Sequence, residues 1–189
     1  MDVRYADQMP QLTEGRYFIE MDPGPAADHS ERCAAGYHCV GFVSVDPRFF
    51  DVVGAPVIRG RALTTADAEQ RTRVVLVNET FVDEILGGRN PIGRRFRFWS
   101  TGEPTAESWY EIVGVVPDLS VDKGTSYDRT RIYQTTLPRE TGPLRVAIRV
   151  RGDPQLFAVR LREIAQATDP ALRVTDPKPL APLVGPVSG

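Results

Sequence analysis

A chain of 189 residues, 41% hydrophobic and 25% charged, is large enough for one domain, or two small subdomains, around a buried core. Its formal net charge of -2 argues against a general nucleic-acid binder, which would carry a strongly basic face. No apolar run approaches the roughly 18 residues a membrane helix needs, and the opening MDVRYADQMPQLTEGRYF lacks a basic region followed by an apolar core, so neither a membrane span nor a signal peptide is expected.

Within residues 1–20 one strand is expected, Arg16-Tyr17-Phe18-Ile19-Glu20. The polar stretch DPGPAADHSERCAAG has no apolar period and reads as a loop. The β-branched and aromatic run YHCVGFVSV, residues 37–45, reads as a strand able to pair antiparallel with the first. Asp46-Pro47 is expected to open a short helix with Asp as cap, Phe49, Phe50 and Val53 as its buried face, and Gly54 as its end. Val57 to Leu63 reads as bent and extended, and Thr64-Thr65-Ala66-Asp67 as a capping box with Asp in place of Glu.

Next, VVLVNETFVDEILGGRNPIG passes from a strand, Val74 to Val77, through Asn78 into a helix closed by Gly87-Gly88, with a turn at Asn90-Pro91-Ile92-Gly93. Strands follow at Arg95 to Phe98, Trp109 to Val116, Arg131 to Gln134 and Leu144 to Val150. The longest helix begins at Gly152-Asp153-Pro154 and runs to Thr168, with Phe157, Leu161, Ile164 and Ala165 on one face. Asp169-Pro170 stops it, Leu172-Arg173-Val174 can return as a last strand, and DPKPLAPLVGPVSG is an irregular exit. The sum is an α+β fold with antiparallel or mixed sheets in two packed units.

Chemistry is sparse in this pattern. A P-loop needs its glycines between strand and helix, with Lys and Ser/Thr at the end; here Asn78 joins the two directly and the glycines come after the helix. No Gly-x-Ser-x-Gly elbow occurs. A dyad of His29 or His38 with Cys39 or Ser30 has no orienting group in the sequence. Asp83 and Glu84 diverge by about 100° on a helix, as a solvated face does. Asp118, Asp122 and Asp128 share a loop without the Gly and terminal Glu of a calcium site. No catalytic, cofactor or metal residues are therefore assigned. For Cys33 and Cys39 three readings stay open: a short-loop disulfide, two free thiols, or a metal site with His29 and His38, whose spacing fits no familiar zinc pattern.

Taken in order, six motifs carry a resemblance: Asp46-Pro47-Arg48-Phe49-Phe50; Gly60-Arg61 followed by Thr64 and Asp67; Val77-Asn78-Glu79; Asn90-Pro91-Ile92-Gly93; Ile112-Val113-Gly114-Val115-Val116-Pro117-Asp118; and Gly152-Asp153-Pro154. Each is weak alone. In this order, across about three quarters of the chain, they resemble the extracytoplasmic domain of MacB-type ABC transporter permeases.

The resemblance implies a porter-like α/β subdomain from residues 1–45 and 138–178, a strand-rich sabre-like subdomain at 46–137, and a tail at 179–189 leading toward the next membrane helix. It implies a non-catalytic domain without cofactor on the periplasmic side, coupling cytoplasmic ATP hydrolysis to export or partner action. The implied partners are a second permease copy, an ATPase domain or subunit, and a periplasmic adaptor, with the isolated domain a monomer. The N-terminal region departs from the pattern in lacking an obvious helix, and the loop 21–36 has no counterpart. A free-standing module binding a small ligand, peptide or glycan is the alternative, and an enzyme stands third.

Overall fold

Uninterrupted apolar runs at Val74 to Val77 and Ile112 to Val116 require burial on both faces of the strands that contain them. The computed structural model, which describes residues 2–6, 17–22, 38–98, 109–119, 129–137, 145–169 and 174, supplies that burial by closing a sheet on itself. Its strands are β1 (Asp2–Ala6), β2 (Tyr17–Met21), β3 (His38–Val45), β4 (Arg59–Gly60), β5 (Val74–Asn78), β6 (Arg95–Phe98), β7 (Tyr110–Val116), β8 (Arg131–Thr135) and β9 (Arg145–Arg149). Its helices are α1 (Phe49–Val53), α2 (Thr65–Glu69), α3 (Glu79–Glu84) and α4 (Pro154–Thr168).

The pairings form a ring. β2 pairs with β6, β6 with β7, β7 with β5, β5 with β8, β8 with β3, and β3 again with β2. Two of these pairings, β5 with β7 and β3 with β8, are parallel and the other four antiparallel. β1 leaves the ring at the end of β3 through Ala6 opposite Val45, and runs antiparallel to β9 from Asp2 opposite Arg149 to Ala6 opposite Arg145. The fold mixes helix and strand as expected, and β2 and β3 pair antiparallel as their patterns foretold.

Every strand of the ring contributes to the inner cluster: Ile19, Val40, Val75, Val77, Phe96, Ile112, Val115 and Ile132. Helix α3 closes one end with Phe81 and Val82, and the turn after it adds Ile85 and Leu86. Outside the ring, α1 packs Phe49, Phe50 and Val52 against Val43, Val45, Leu76, Val113, Val116 and Tyr133. A bulge reconciles the two clusters. Val75 faces Ile112 but Leu76 faces Gly114, so Val113 is one extra residue in β7. Ile112 and Val115 therefore both point inward while Val113 and Val116 point outward.

Several expectations need correction. Helix α1 starts at Phe49 with Arg48 in the cap position, not at Asp46-Pro47; Asp46 Oδ1 instead accepts from the Arg48 amide at 2.8 Å and turns the chain ahead of the helix. Val52, not Val53, is the third buried residue of α1. Strand β1 was not legible, because DVRYA offers only Val3, Tyr5 and Ala6 as apolar signal and its pairing partner lies at the other end of the chain. Helix α4 begins at Pro154 behind an Asp153 cap as read, yet it buries no residue among those described; Phe157, Leu161 and Ala165 are half-buried and Ile164 is exposed. The expected strand at 172–174 falls outside the described residues but for Val174, which is in no regular element.

Candidate functional site

Motif residues that looked weak one by one converge on two polar nodes. The first lies where α3 closes the barrel. Asn78 ends β5 and caps α3, its Oδ1 accepting from the Phe81 amide at 3.2 Å and from the Arg131 amide at 2.8 Å. Its Nδ2 donates to Asp118 Oδ1 and to the Arg129 carbonyl, both at 2.6 Å. The four hydrogen-bonding positions of the amide are thus all used. Asp118, just past β7, also accepts from the Thr80 amide at 3.0 Å on Oδ1 and from Thr80 Oγ1 at 2.6 Å on Oδ2. One buried side chain therefore fixes the end of β5, the start of α3 and the start of β8, and holds Asp118 beyond β7.

The second node fastens α2 to the outside of the barrel. Thr64 and Asp67 form the capping box, with Asp67 Oδ2 accepting from the Thr64 amide at 2.8 Å and from Thr64 Oγ1 at 2.7 Å. Arg61 grips the same carboxylate with both Nη atoms, at 2.8 and 3.1 Å, and Thr72 Oγ1 donates to Oδ1 at 3.0 Å. Burial alone would raise the Asp67 carboxyl, but the hydrogen bonds from Arg61, Thr64 and Thr72 outweigh it and hold the group well below the usual carboxylate range.

This node hangs on a close crossing. Gly60 of β4 lies opposite Gly114 of β7. A Cβ on Gly60, whose φ is 75°, would overlap the Val113 carbonyl oxygen; one on Gly114 would come within 2.5 Å of the Arg61 carbonyl oxygen and 2.7 Å of Leu76 Cδ2. The crossing brings the Gly60-Arg61 and Val113-Gly114 stretches, far apart in the sequence, against each other.

Opposite α3, the barrel is closed by rings. Phe98 makes edge-on contacts with Tyr17, Phe42, Phe96 and Tyr110 at centroid distances of 5.6, 5.2, 5.6 and 5.3 Å. Such arrangements satisfy the ring quadrupoles better than face-to-face stacking. At the rim the Arg73 guanidinium lies 5.8 Å from the Tyr110 ring and that of Arg97 lies 5.0 Å from Trp109. Sequence reading missed this cluster, although aromatic residues at alternate positions 96 and 98 and at 110 were its signal.

Of the other residues weighed in the sequence, Cys39 and His38 begin β3 and are half-buried, while Cys33 and His29 lie outside the described residues. No described cysteine carries a free thiol. Asp83 and Glu84 are exposed on α3. Asp118 belongs to the first node, and Asp122 and Asp128 lie outside the described residues. Among the described residues no group of three or more His, Cys, Asp or Glu is placed to hold a metal ion, and no helix is long and apolar enough to cross a membrane.

The family model of the MacB-like periplasmic core domain matches residues 26–171. The chain belongs to that family. It is a domain type of transporter permeases, named for its periplasmic position. A curated relative, the macrolide export ATP-binding/permease protein MacB of Aggregatibacter actinomycetemcomitans, is 30% identical over 104 residues, covering 54% of this chain. The chain spans only 15% of that relative's length. Among solved structures, the periplasmic region of MacB from Actinobacillus actinomycetemcomitans superposes with a TM-score of 0.56 at 18% identity, covering 89% of this chain and 67% of the other. A domain of a permease protein from Porphyromonas gingivalis gives 0.55 at 16% identity, covering 88% and 70%. At these identities the two structures speak for the fold of a MacB-like domain.

Proposed function

We propose that this MacB-like domain is the non-catalytic extracytoplasmic part of an ABC transporter permease, relaying motion driven by cytoplasmic ATP hydrolysis to an exported substrate or a partner protein. The observation that carries this reading is the use made of the motif residues. Asp67 and Asp118, two carboxylates of the motifs, are each committed to three or more hydrogen bonds that hold elements of the fold together. A carboxylate so engaged stiffens a structure and is not poised to take a proton from a substrate. Stiffness is what a relay of motion requires. The partners in this reading are a second permease copy, an ATPase domain or subunit, and a periplasmic adaptor, and no cofactor is needed.

Within this reading, residues 1–45 and 138–178 form the porter-like unit and residues 46–137 the sabre-like unit, with 179–189 leading to the next membrane helix. The pairing of β1 with β9 supports joining the first two ranges, and the two units meet where β3 pairs with β8 and β2 with β6. Cys39 is assigned a disulfide to Cys33, the only other cysteine of the chain, in keeping with a periplasmic location. Its support is that no described cysteine is free.

The test is the coding sequence on either side of residues 1–189. A membrane-spanning segment upstream, several downstream, and an ATPase domain fused or encoded beside them are expected. A reading frame with no spans on either side would overturn the proposal.

A further inference from the structure

Strands β2 and β6 are the least embedded members of the barrel, each burying a single residue, and the ring cannot close without β2. It is bracketed on one side by three residue pairs with β3, from Tyr17 opposite Val40 to Ile19 opposite His38, and on the other by three pairs with β6, from Ile19 opposite Phe98 to Met21 opposite Phe96. Ile19 alone is paired on both sides at once. It is also the only residue of β2 that is fully buried; Tyr17 is 39% exposed. By contrast β5 buries four of its five residues and β8 likewise.

Charge supplies a second fastening, directed to β6. Glu20 accepts from Arg97, Nε at 2.7 Å and Nη2 at 2.6 Å, and Asp22 accepts from Arg95, Nε at 3.1 Å and Nη2 at 2.9 Å. These pairs are partly exposed, so each adds only a modest increment. Without β2, the strands β7, β5, β8 and β3 remain joined in that order by their own pairings, and β6 stays on β7 through two residue pairs and the backbone bonds of Gly93 and Arg94 with Ile112.

We propose that β2 is the release strand of this domain: it leaves the ring as a unit while the other five strands persist as an open, curved sheet. Release bares the facing edges of β3 and β6, the Ile19 site, and the ring patch of Phe42 and Phe98 that Tyr17 covers. The slot is complementary to an extended segment with one central apolar residue and acidic residues directed at Arg95 and Arg97, which is the chemistry of β2 itself. The domain thereby has a local opening whose free energy lies below that of global unfolding, as sub-global openings of proteins generally do.

Amide hydrogen exchange on the chain of residues 1–189 tests this. In the native protein the amides of β2 are expected to exchange about tenfold or more faster than those of β5 and β8, with a shallower denaturant dependence. The double variant Arg95→Gln/Arg97→Gln is expected to speed β2 exchange about two- to fivefold and to leave β5 and β8 unchanged. A common rate and denaturant slope for all three strands would overturn the proposal. So would a double variant that accelerates β5 and β8 as much as β2.

Discussion

Asn78 Nδ2 donates to Asp118 Oδ1 across 2.6 Å, joining residues 40 positions apart at the end of the barrel that α3 closes. Both partners are spent in further bonds, but they differ in how well they bear exchange for their close chemical relatives. Asp118→Asn keeps the shape, leaves its amide oxygen to accept from Asn78 Nδ2 and the Thr80 amide, and sets NH2 against Thr80 Oγ1, a hydroxyl that can turn to accept, so it is expected to cost about 1 kcal/mol. Asn78→Asp loses both donors and sets two carboxylates face to face, and is expected to cost more than Asp118→Asn. Urea unfolding of the three proteins checks the order; equal midpoints would contradict it.

The glycine crossing makes a second comparison possible. Gly114→Ala must displace the Arg61 carbonyl or Leu76, and is expected to destabilise by about 3 kcal/mol or more, at the upper end of forced overpacking because backbone has to move. Gly88, with φ of 74°, has open space where an alanine methyl would sit, with nothing within 4 Å, so Gly88→Ala bears only the left-handed backbone penalty of about 1–2 kcal/mol. Thermal unfolding of both variants should separate them clearly. A Gly114→Ala protein as stable as the parent would mean that β4 does not cross β7 there.

The Arg61–Asp67 node has a pH signature. The Asp67 carboxyl is depressed in the folded protein, against an unfolded value of about 3.9. The unfolded state therefore binds the proton first as pH falls, and stability from this group is complete above about pH 5 and lost progressively below about pH 4. Asp67→Asn is expected to lower stability at pH 7 and to narrow its deficit as pH falls toward 2. Denaturation free energies across that range give the answer, and a deficit independent of pH would rule out the node as its source.

Tyr133 presents the opposite case. Its ring is fully buried edge-on against Phe50 at 5.0 Å, and its hydroxyl has no hydrogen-bond partner among the described residues. Removing an unsatisfied buried hydroxyl relieves a desolvation cost of about 1–3 kcal/mol. Tyr133→Phe is accordingly expected to be neutral or stabilising, whereas Tyr133→Ala should cost about 3–5 kcal/mol through the cavity left behind. A destabilised Tyr133→Phe protein would show that the hydroxyl is bonded.

What could be read from the sequence divides along physical lines. Features set within a few residues were mostly legible: the Thr64–Asp67 capping box, the passage from strand to helix at Asn78, the Asp153-Pro154 helix start and the turn at Asn90 to Gly93 follow from local backbone chemistry, with the start of α1 the exception. Features set by distant pairing were not. Nothing in DVRYA announces β9 as its partner, and nothing in YFIEM announces that it will stand between β3 and β6 to close a ring. The bulge at Val113 lies between these extremes: the unbroken apolar run from Ile112 to Val116 signalled burial on both faces, but only pairing with β5 shows where the register slips. The candidate site was hidden for the same reason, since Asn78 and Asp118 each looked ordinary in isolation.

The pairing of β3 with β8 has a consequence for how the protein is made. Thr130 Oγ1 donates to the carbonyl of Cys39, 91 positions earlier in the chain. A ribosome working at about 5–20 residues per second therefore leaves β3 without its parallel neighbour for several seconds after it emerges. Topologies dominated by such distant contacts fold slowly, and an unpaired strand edge is a template for other chains. During that interval the nascent chain has reason to depend on whatever shields β3 until residues 131–135 arrive.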